Sequence, residues 1–398
     1  MTGDLPVSEI VILAATRTPI GSFQGELANI PATQLGAVAI KGALIQGGLA
    51  REAVTDAIMG CVLQAGLGQA PARQAALGAG LAPTTRCVTV HKVCGSGLQA
   101  VIYGCQALAG GDADAVIAGG MENMSAAPYL LPQARQGYRL GHRQVIDSMV
   151  QDGLWDPHLD QHMGSCAEAC AQKYGFTRQQ QDAYAMESFL RARAAQEEGR
   201  FAWEITPVEF ADRDGTARRI ERDEGPGRAQ FEKIPRLAPA FAKEGTITAA
   251  NASSLNDGAA ALLLTRAETA LASGLRPLAR IVAVGAQANE PRWFTTAPVA
   301  AARQALSRAS WRTAEVDLWE INEAFAVVPL AFARELEVPH DRLNVNGGAI
   351  ALGHPIGASG ARIVVSLVAA LRQRQLKRGV AAICIGGGEA LAICVELI

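Results

Sequence analysis

The sequence predicts an α/β fold, and three observations lead to that prediction. Short β-branched runs alternate with segments whose apolar residues recur at helical spacing, a pattern typical of a sheet covered by helices on both faces. Between residues 125 and 241 charged and Gln residues become dense and strand signals are few, which indicates a long, mostly helical insertion. A Ser-Gly pair that starts a helix, followed by a strand ending in two glycines, occurs at 96–120 and again at 359–387, which predicts two similar halves.

The expected strands and helices alternate along the chain, so we predict a largely parallel, two-sided sheet. The first half is expected to contain strands at 10–15, 57–63, 88–93 and 115–118, and helices at 31–44, 72–79 and 98–109. The insertion is expected to contain a helix at 179–200. After residue 246 we expect strands at 259–264, 280–285, 318–322 and 381–385, and helices at 267–273, 298–307 and 359–371.

The composition of the 398-residue chain narrows the classes of protein to which it can belong. Its 36 Lys and Arg residues nearly balance 38 Asp and Glu residues, and a net charge of -2 does not indicate a nucleic-acid or membrane partner. Aromatic residues make up 5%, so base-stacking surfaces are not expected. No apolar run reaches the ~18 residues of a membrane span, and residues 1–8 lack a secretory signal pattern.

The eight cysteines are scattered and do not form a disulfide framework. There is no C-x-x-C motif and no Cys/His cluster of zinc type. Cys166 and Cys170 lie four residues apart on an expected helix, but no further ligands flank them. We therefore expect no metal site and a reducing, cytoplasmic location.

The segment around Cys94 is the first candidate for catalysis. A β-rich run ends at Cys94, small residues follow at once, and a helical pattern begins after them. A thiol on such a turn lies at the positive end of a helix, where its pKa is lowered and free backbone N–H groups can bind an anion. These features suit a nucleophile that attacks a carbonyl. The alternative is a small, buried, inert cysteine beside a glycine turn.

Three further residues have possible acid, base or polarising roles, each with a structural alternative. His354 lies in a rigid Gly/Pro loop, where it could take a proton from a thiol or be a loop histidine that bonds to backbone. Cys384 ends a strand before three glycines, where it could shuttle a proton at a carbon next to a carbonyl or be structural. Asn322 follows a strand and could hold a water or polarise an oxygen, or be an ordinary turn residue.

The repeated halves predict that Cys94, His354 and Cys384 meet at one interface. Together they describe acyl transfer through a thiol, with an acid/base group that makes or quenches an α-carbanion. The sequence therefore predicts a carbon–carbon bond reaction between thioesters that needs no metal or redox cofactor.

At these motifs, and over nearly its whole length, the chain resembles the thiolase family, most closely its short-chain biosynthetic members. The motifs that carry the resemblance are TRTPIGSF at 16–23, QAPARQ at 69–74, VCGSG at 93–97, AGGME at 118–122, HMG at 162–164, NAS at 251–253, NDGAA at 256–260, NEAF at 322–325, GHPIG at 353–357 and CIGGG at 384–388.

The resemblance implies a fold of the thiolase type, a duplicated αβαβα layered core with a mostly helical loop domain inserted between its halves. Residues 1–124 and 247–275 would form the N-terminal half and residues 276–398 the C-terminal half. Residues 125–246 would be the loop domain that covers the coenzyme A site.

The resemblance also implies roles for the candidate catalytic residues. Cys94 would accept the acyl group, His354 would activate it as the base, and Cys384 would be the acid/base at the acetyl methyl. One oxyanion hole would use His354 and a water held by Asn322, and the other would use the N–H groups of Cys94 and Gly386.

Seven residues are expected to contact the coenzyme A thioester. Ser253 and His162 match positions that line the pantetheine, and Arg228 would reach the phosphates, although its spacing from Asp223 differs from the usual pattern. The bulky Phe294 favours a short acyl group. The remaining expected contacts are Leu154, Met163 and Phe325.

The implied reaction is the reversible condensation of two acetyl-CoA molecules to acetoacetyl-CoA and CoA through an acetyl-Cys94 intermediate. A degradative 3-ketoacyl-CoA thiolase with a longer acyl pocket is the alternative, and a catalytically silent thioester-binding relative is a third reading. No cofactor is expected, because the coenzyme A thioesters are substrates. The family is typically dimeric or tetrameric, and residues 133–145 would be the tetramerising excursion.

The chain departs from the family pattern at residues 293–298, where WFTTAP replaces a common Met-Gly motif, and at two single positions. His91 stands where Asn is usual, so it either replaces a structural hydrogen bond or tunes Cys94; we favour the first role. Glu389 follows the three glycines where Met, Gly or Gln is more usual.

Overall fold

The computed structural model describes residues 9–212 and 214–398, so the expectation for residues 1–8 lies outside the described part. The strands are β1 (Ile10–Arg17), β2 (Gly21–Ser22), β3 (Asp56–Gly60), β4 (Arg86–Val90), β5 (Ala115–Asn123), β6 (Tyr129–Leu130), β7 (Ile146–Asp147), β8 (Trp155–Asp156), β9 (Gln161–His162), β10 (Val208–Ala211), β11 (Ala217–Ile220), β12 (Asn256–Arg266), β13 (Ala279–Ala288), β14 (Leu318–Ile321), β15 (Arg378–Ile385) and β16 (Glu389–Leu397). The helices are α1 (Ala32–Gly47), α2 (Pro71–Gly78), α3 (Ser96–Ala109), α4 (Met163–Tyr174), α5 (Arg178–Glu197), α6 (Gly225–Arg228), α7 (Ala267–Ala272), α8 (Ala297–Ala309), α9 (Val327–Leu336), α10 (Ala349–Leu352) and α11 (Ile356–Arg374).

The main sheet is mixed, so the prediction of a largely parallel sheet is wrong. Its strand order is β14-β15-β16-β13-β1-β12-β5-β3-β4, with β2 paired to β12. The pairs β3–β4, β3–β5 and β14–β15 are parallel, and the pairs made by β1, β12, β13 and β16 are antiparallel. The turn at 386–388 that joins β15 to β16 is too short for the crossover that a parallel pair needs, so β16 must run back along β15.

The strands form two halves around a central layer of helices. The halves are joined where β1 meets β13, at Val11↔Arg280 and Ile12↔Ala279. Helices α3 and α11 share one buried core with both halves. Helix α1 packs on the outer face of the first half, and α8 and α9 pack on that of the second. These layers confirm the duplicated αβαβα arrangement.

Successive side chains of β12 pack alternately into two different layers of the core. Leu262 and Leu264 belong to the central core, whereas Leu263 between them belongs to the outer core beneath α1. Successive side chains of a strand point to opposite faces, so a strand buried on both faces reads as a continuous apolar run.

The two central helices cross at a pair of glycines. A Cβ added at Gly360 of α11 would lie 2.4 Å from the backbone nitrogen of Leu98. A Cβ added at Gly97 of α3 would lie 2.7 Å from the backbone nitrogen of Ala361. The repeated Ser-Gly pair therefore marks the point where the two halves touch, backbone against backbone.

The insertion lies between β5 and β12, and its regular secondary structure is mainly helical, as predicted. Its main helices are α4 and α5, and it also contains the strand pairs β6–β7, β8–β9 and β10–β11. The domain boundaries at residues 124, 246 and 275 stay a prediction. Among the described residues, no helix combines the length and apolar character required to cross a membrane.

Gly360→Ala is expected to destabilise the protein, because the added methyl group would meet the backbone of α3 and push the central helices apart. We expect a loss of about 2 kcal/mol in the free energy of unfolding, measured by urea denaturation. Gly227→Ala is the control, because a Cβ at that helical glycine would have no atom within 4 Å. Equal stability of the two variants would contradict the close crossing.

Candidate active site

Cys94 lies on a strained turn between β4 and α3. The strand ends at Val90 and does not continue to residue 93 as predicted, because Val93 turns into the left-handed region with a φ of +44°. A β-branched residue rarely adopts that conformation, so the surrounding contacts must hold it. Ser96 does so, since its Oγ accepts the Lys92 N–H at 2.8 Å and donates to the Val93 carbonyl at 2.7 Å.

Burial controls the protonation of Cys94 more than the adjoining helix does. Burial raises the pKa of the Cys94 thiol to about 11, although the backbone N–H groups of Gly386 and of Cys94 itself bond to the sulfur and lower it. The prediction that the helix start lowers this pKa is therefore wrong, because lost hydration outweighs the field of the helix end. Cys94 is therefore a neutral thiol at pH 7, and it would need a base to react as a nucleophile.

His354 can be that base, and its hydrogen bonds fix which ring nitrogen is free. Ser359 Oγ donates its one hydrogen to the Pro355 carbonyl at 2.9 Å, so it can only accept from the ring. His354 Nδ1, at 2.5 Å from Ser359 Oγ, therefore carries the ring proton. His354 Nε2 keeps its lone pair, with the Asn322 Nδ2 amide 3.5 Å away.

A buried arginine orients Asn322 toward the histidine. Arg362 Nη2 donates to Asn322 Oδ1 at 3.4 Å, which leaves the amide nitrogen facing His354. Arg362 Nη1 donates to Glu320 Oε1 at 2.8 Å, so the guanidinium is paired. Burial, together with the Arg362 charge, lowers the pKa of His354 to about 3. The imidazole is thus neutral at pH 7, and with so low a pKa it takes up a proton only when negative charge develops beside it.

Cys384 is fully buried at the end of β15, close enough to Cys94 for their charges to interact. Burial raises the pKa of the Cys384 thiol well above the usual thiol value, and a negative charge on Cys94 raises it further. At pH 7 Cys384 is therefore protonated and can act as an acid.

One cavity of about 250 Å³ brings the candidate residues together. Cys94, His354 and Gly386 line it, whereas Asn322 and Cys384 are fully buried and do not line it. The predicted substrate contacts Leu154, His162, Met163, Ser253, Phe294 and Phe325 also line it. The wall also includes Ala252, Ala324 and Ile356, which lie in the quoted motifs but were given no role, and five residues outside those motifs, namely Met124, Gly153, Phe241, Ser254 and Leu255.

Aromatic rings form part of this wall. Phe241 stacks on His162 with ring centroids 4.7 Å apart and lies edge-on to Phe325 at 6.1 Å. Phe294 lies edge-on to Phe325 at 6.4 Å. Burial lowers the pKa of His162, so its ring is neutral at pH 7. A neutral, largely apolar wall suits the hydrocarbon part of a ligand.

Arg228 does not line this cavity. It lies in an adjacent cavity of about 450 Å³, which shares Ala252, Ser254 and Leu255 with the first. The Arg228 side chain is 60% exposed and lies 3.9 Å from Glu224. We call the cavity of about 250 Å³ the inner cavity and the adjacent cavity of about 450 Å³ the outer cavity. The Cys94 thiol lines the inner cavity, and the Arg228 cation lines the outer one.

Glu122 is a site residue that sequence reasoning quoted in a motif but gave no role. Its carboxylate is fully buried and accepts backbone N–H groups from Val62 at 3.0 Å, Leu63 at 3.1 Å and Gly357 at 2.9 Å. Burial raises the pKa of Glu122 to about 7. The carboxylate thus ties the start of α11, next to His354, to the first half of the core.

Two of the departures from the family pattern, His91 and Glu389, lie beside the Cys94 turn. His91 is exposed, and its Nδ1 accepts the Val93 N–H at 3.4 Å. An Asn side chain makes the same bond to the residue two positions on, so His91 can replace a structural hydrogen bond. Glu389 forms an ion pair with Lys92, which links the strand after the three glycines to the turn that carries Cys94.

The described residues contain no group of three or more His, Cys, Asp or Glu side chains placed to hold a metal ion. Cys166 accepts a hydrogen bond from Gln161 Nε2 at 3.3 Å, and Cys170 is buried in the apolar core around α4.

Two family models match the chain almost from end to end. The model described as "Thiolase, N-terminal domain" matches residues 10–268. The model described as "Thiolase, C-terminal domain" matches residues 275–397.

Curated proteins and solved structures are similar to the chain over nearly its whole length. A curated acetyl-CoA acetyltransferase of Pseudomonas aeruginosa is 52% identical over 388 residues, 97% of this chain and 99% of that protein. The crystal structure of the Acat5 thiolase from Ascaris suum in complex with coenzyme A has a TM-score of 0.93 and 45% identity, covering 98% of this chain and 100% of that chain. The Bacillus anthracis acetyl-CoA acetyltransferase structure has a TM-score of 0.96 and 39% identity, covering 98% and 99%.

Ser359→Ala is expected to lower kcat, because His354 loses the acceptor that fixes its Nδ1–H tautomer. We expect a fall of about tenfold, with KM nearly unchanged. Ser366→Ala is the matched control, since Ser366 is a buried serine of the same helix that bonds instead to Glu204 at 3.4 Å. Equal losses in both variants would indicate a general packing effect and contradict the tautomer argument.

His91→Asn is expected to leave kcat/KM within about tenfold of the unchanged protein, because an Asn oxygen accepts the same Val93 N–H. The measurement is steady-state turnover of the acyl substrate. A larger loss would show that the His91 ring acts on Cys94 itself.

Proposed function

The chain belongs to the thiolase family, and we propose that this acyltransferase is an acetyl-CoA C-acetyltransferase. It would condense two acetyl-CoA molecules, reversibly, to acetoacetyl-CoA and CoA. The proposal rests on one cavity that Cys94, His354 and Gly386 share, with Cys384 buried near Cys94. The name of the Pseudomonas aeruginosa relative supports the same activity.

The first half-reaction is easiest to follow in the direction of cleavage. His354 Nε2 takes the Cys94 proton, and the thiolate attacks the keto carbonyl of acetoacetyl-CoA. The bond between that carbonyl carbon and the α-carbon breaks, and Cys384 gives its proton to the carbanion that leaves. The products are acetyl-Cys94 and one acetyl-CoA, with an imidazolium on His354 and a thiolate on Cys384.

The second half-reaction restores the starting charges. The Cys384 thiolate takes the proton of incoming CoA, and the CoA thiolate attacks acetyl-Cys94. Cys94 leaves as a thiolate and recovers its proton from the His354 imidazolium. Condensation is the reverse sequence, in which Cys384 removes the methyl proton of acetyl-CoA.

Two sets of hydrogen-bond donors would stabilise the oxyanions. The N–H groups of Gly386 and Cys94 bond to the Cys94 sulfur, so they lie close to the carbonyl oxygen of an acyl group bound to that sulfur and would donate to it. Asn322, held by Arg362, offers its amide nitrogen beside His354 for a bound water.

The inner cavity suits a small acyl group better than a long one. The inner cavity of about 250 Å³ is walled by Phe294 and Phe325. The alternative activity, cleavage of longer 3-ketoacyl-CoA chains, is not favoured by the names of the relatives.

The remaining expectations stay proposals. We infer a reducing, cytoplasmic setting because all eight cysteines are free. We also infer a homodimer or homotetramer that needs no cofactor; exposed Tyr129, Leu131 and Leu140, in and beside the proposed tetramerising excursion, support an assembly.

Cys94→Ala is expected to abolish CoA-dependent cleavage of acetoacetyl-CoA, because it removes the thiol that lines the cavity and would hold the acetyl intermediate. The measurement is loss of the acetoacetyl-CoA absorbance in the presence of CoA, repeated with 3-ketoacyl-CoA substrates of increasing length. Turnover that survives Cys94→Ala would contradict the mechanism, and a preference for long chains would contradict the proposed substrate.

A further inference from the structure

We propose that Arg17 and Asp223 form a buried tether that positions Arg228 at the outer cavity and so sets the affinity for the nucleotide end of coenzyme A. This inference rests on the proposed function. It assigns a role to the TRTPIGSF motif at 16–23, which the catalytic mechanism does not use.

The tether begins with a two-point contact between a core strand and the insertion. Arg17, the last residue of β1, donates from Nη1 to Asp223 Oδ1 at 2.7 Å and from Nη2 to Asp223 Oδ2 at 2.9 Å. Asp223 Oδ1 also accepts the Ile20 N–H at 2.8 Å. A bidentate pair of this kind fixes direction as well as distance.

The Arg17 side chain is itself held in place. It has no exposed surface, and its Nε donates to Glu204 Oε1 at 2.6 Å. Its guanidinium also lies 5.1 Å from the centre of the Phe201 ring. Both carboxylates raise the pKa of Arg17 against the opposing effect of burial, so the cation persists. Removal of either partner would leave a charge buried without its counterpart.

Glu224, the next residue after Asp223, extends the same contact. Its Oε2 accepts the Ser22 N–H at 2.6 Å and the Glu26 N–H at 3.2 Å, and its own N–H donates to the Ile20 carbonyl at 3.1 Å. A Cβ at Gly25 would lie 2.2 Å from Glu224 Oε2, so only glycine leaves room for the Glu224 carboxylate against this turn.

The fixed carboxylates set the position of the short helix α6, which carries Arg228. At its start, a Cβ on Gly225 would lie 2.2 Å from the Ala351 carbonyl, so α6 packs directly on α10. Arg193 donates from Nε to the Pro226 carbonyl within α6 at 2.6 Å, and from Nη2 to the Ala229 carbonyl just after it at 2.5 Å. The backbone before and within α6 is therefore fixed, and only the exposed Arg228 side chain projects to the cavity.

The outer cavity suits the phosphate-bearing end of coenzyme A. It adjoins the inner cavity at Ala252, Ser254 and Leu255, and it is lined by Arg228 and Lys233. A thioester with its acyl group at Cys94 would have to extend outward through that junction. A cationic side chain on a backbone that is already fixed needs less ordering on binding, which favours affinity.

Asp223→Asn tests the tether, because it removes the negative charge that pairs with Arg17. The amide oxygen of Asn can still accept the Ile20 N–H. We expect about a tenfold rise in the calorimetric Kd for coenzyme A and in its KM, with kcat within about twofold. Cleavage of S-acetoacetyl-N-acetylcysteamine by N-acetylcysteamine, which both lack the nucleotide, should be unchanged. Asp212→Asn is the matched control, since Asp212 is an exposed acid of the same insertion, 3.7 Å from Arg218.

Equal losses with coenzyme A and with the truncated pair would overturn the tether, as would an unchanged Kd in Asp223→Asn. If Asp223→Asn fails to fold, Glu224→Gln carries the test, with a smaller rise of about threefold expected for coenzyme A alone. An unchanged protein that binds coenzyme A without cleaving acetoacetyl-CoA would contradict the proposed function, while the Kd comparison would still decide the tether.

Discussion

The crossing of α3 and α11 is the constraint on which the rest of the site depends. Gly97 and Gly360 let the two backbones approach so closely that a methyl group on either would meet the other. Each helix begins just after a loop with a reactive residue, Cys94 before α3 and His354 before α11. The helix contact therefore brings together two loops that are far apart in sequence, and the cavity forms where they meet.

Burial within this contact then sets the charge states. It raises the pKa of the Cys94 thiol and lowers that of the His354 imidazole, so both groups are neutral before substrate binds. Helix α11 contributes Ser359, which fixes the ring tautomer, and Arg362, which orients Asn322. One helix thus prepares the base and the amide beside it, and the proton moves only as charge develops on the substrate.

The sequence predicts those features whose signals are local. Strand and helix alternation, the insertion and the repeated Ser-Gly pair identify the layers, and the order of motifs identifies Cys94 and His354 as cavity residues. Features that depend on distant partners are missed. Glu122 bonds to Gly357 across the core, and Phe241 has no motif around it in the charge-rich insertion. The predicted direction of the Cys94 pKa shift is wrong. The sequence shows that a helix begins after Cys94, which lowers the pKa, but it does not show how deeply the fold buries the thiol, which raises the pKa more.

Transfer of the acetyl group from acetyl-CoA to Cys94 is the most direct test of the account. The protein is incubated with labelled acetyl-CoA alone, quenched in acid and mapped by peptide mass spectrometry, with Cys94→Ala alongside. We expect label on the peptide that contains Cys94 and on no other cysteine peptide, with none in Cys94→Ala. Label on a different cysteine, or no label in a protein that still cleaves acetoacetyl-CoA, would contradict the central claim. That claim is that the loops carrying Cys94 and His354 together form one site in which the Cys94 thiol accepts the acyl group.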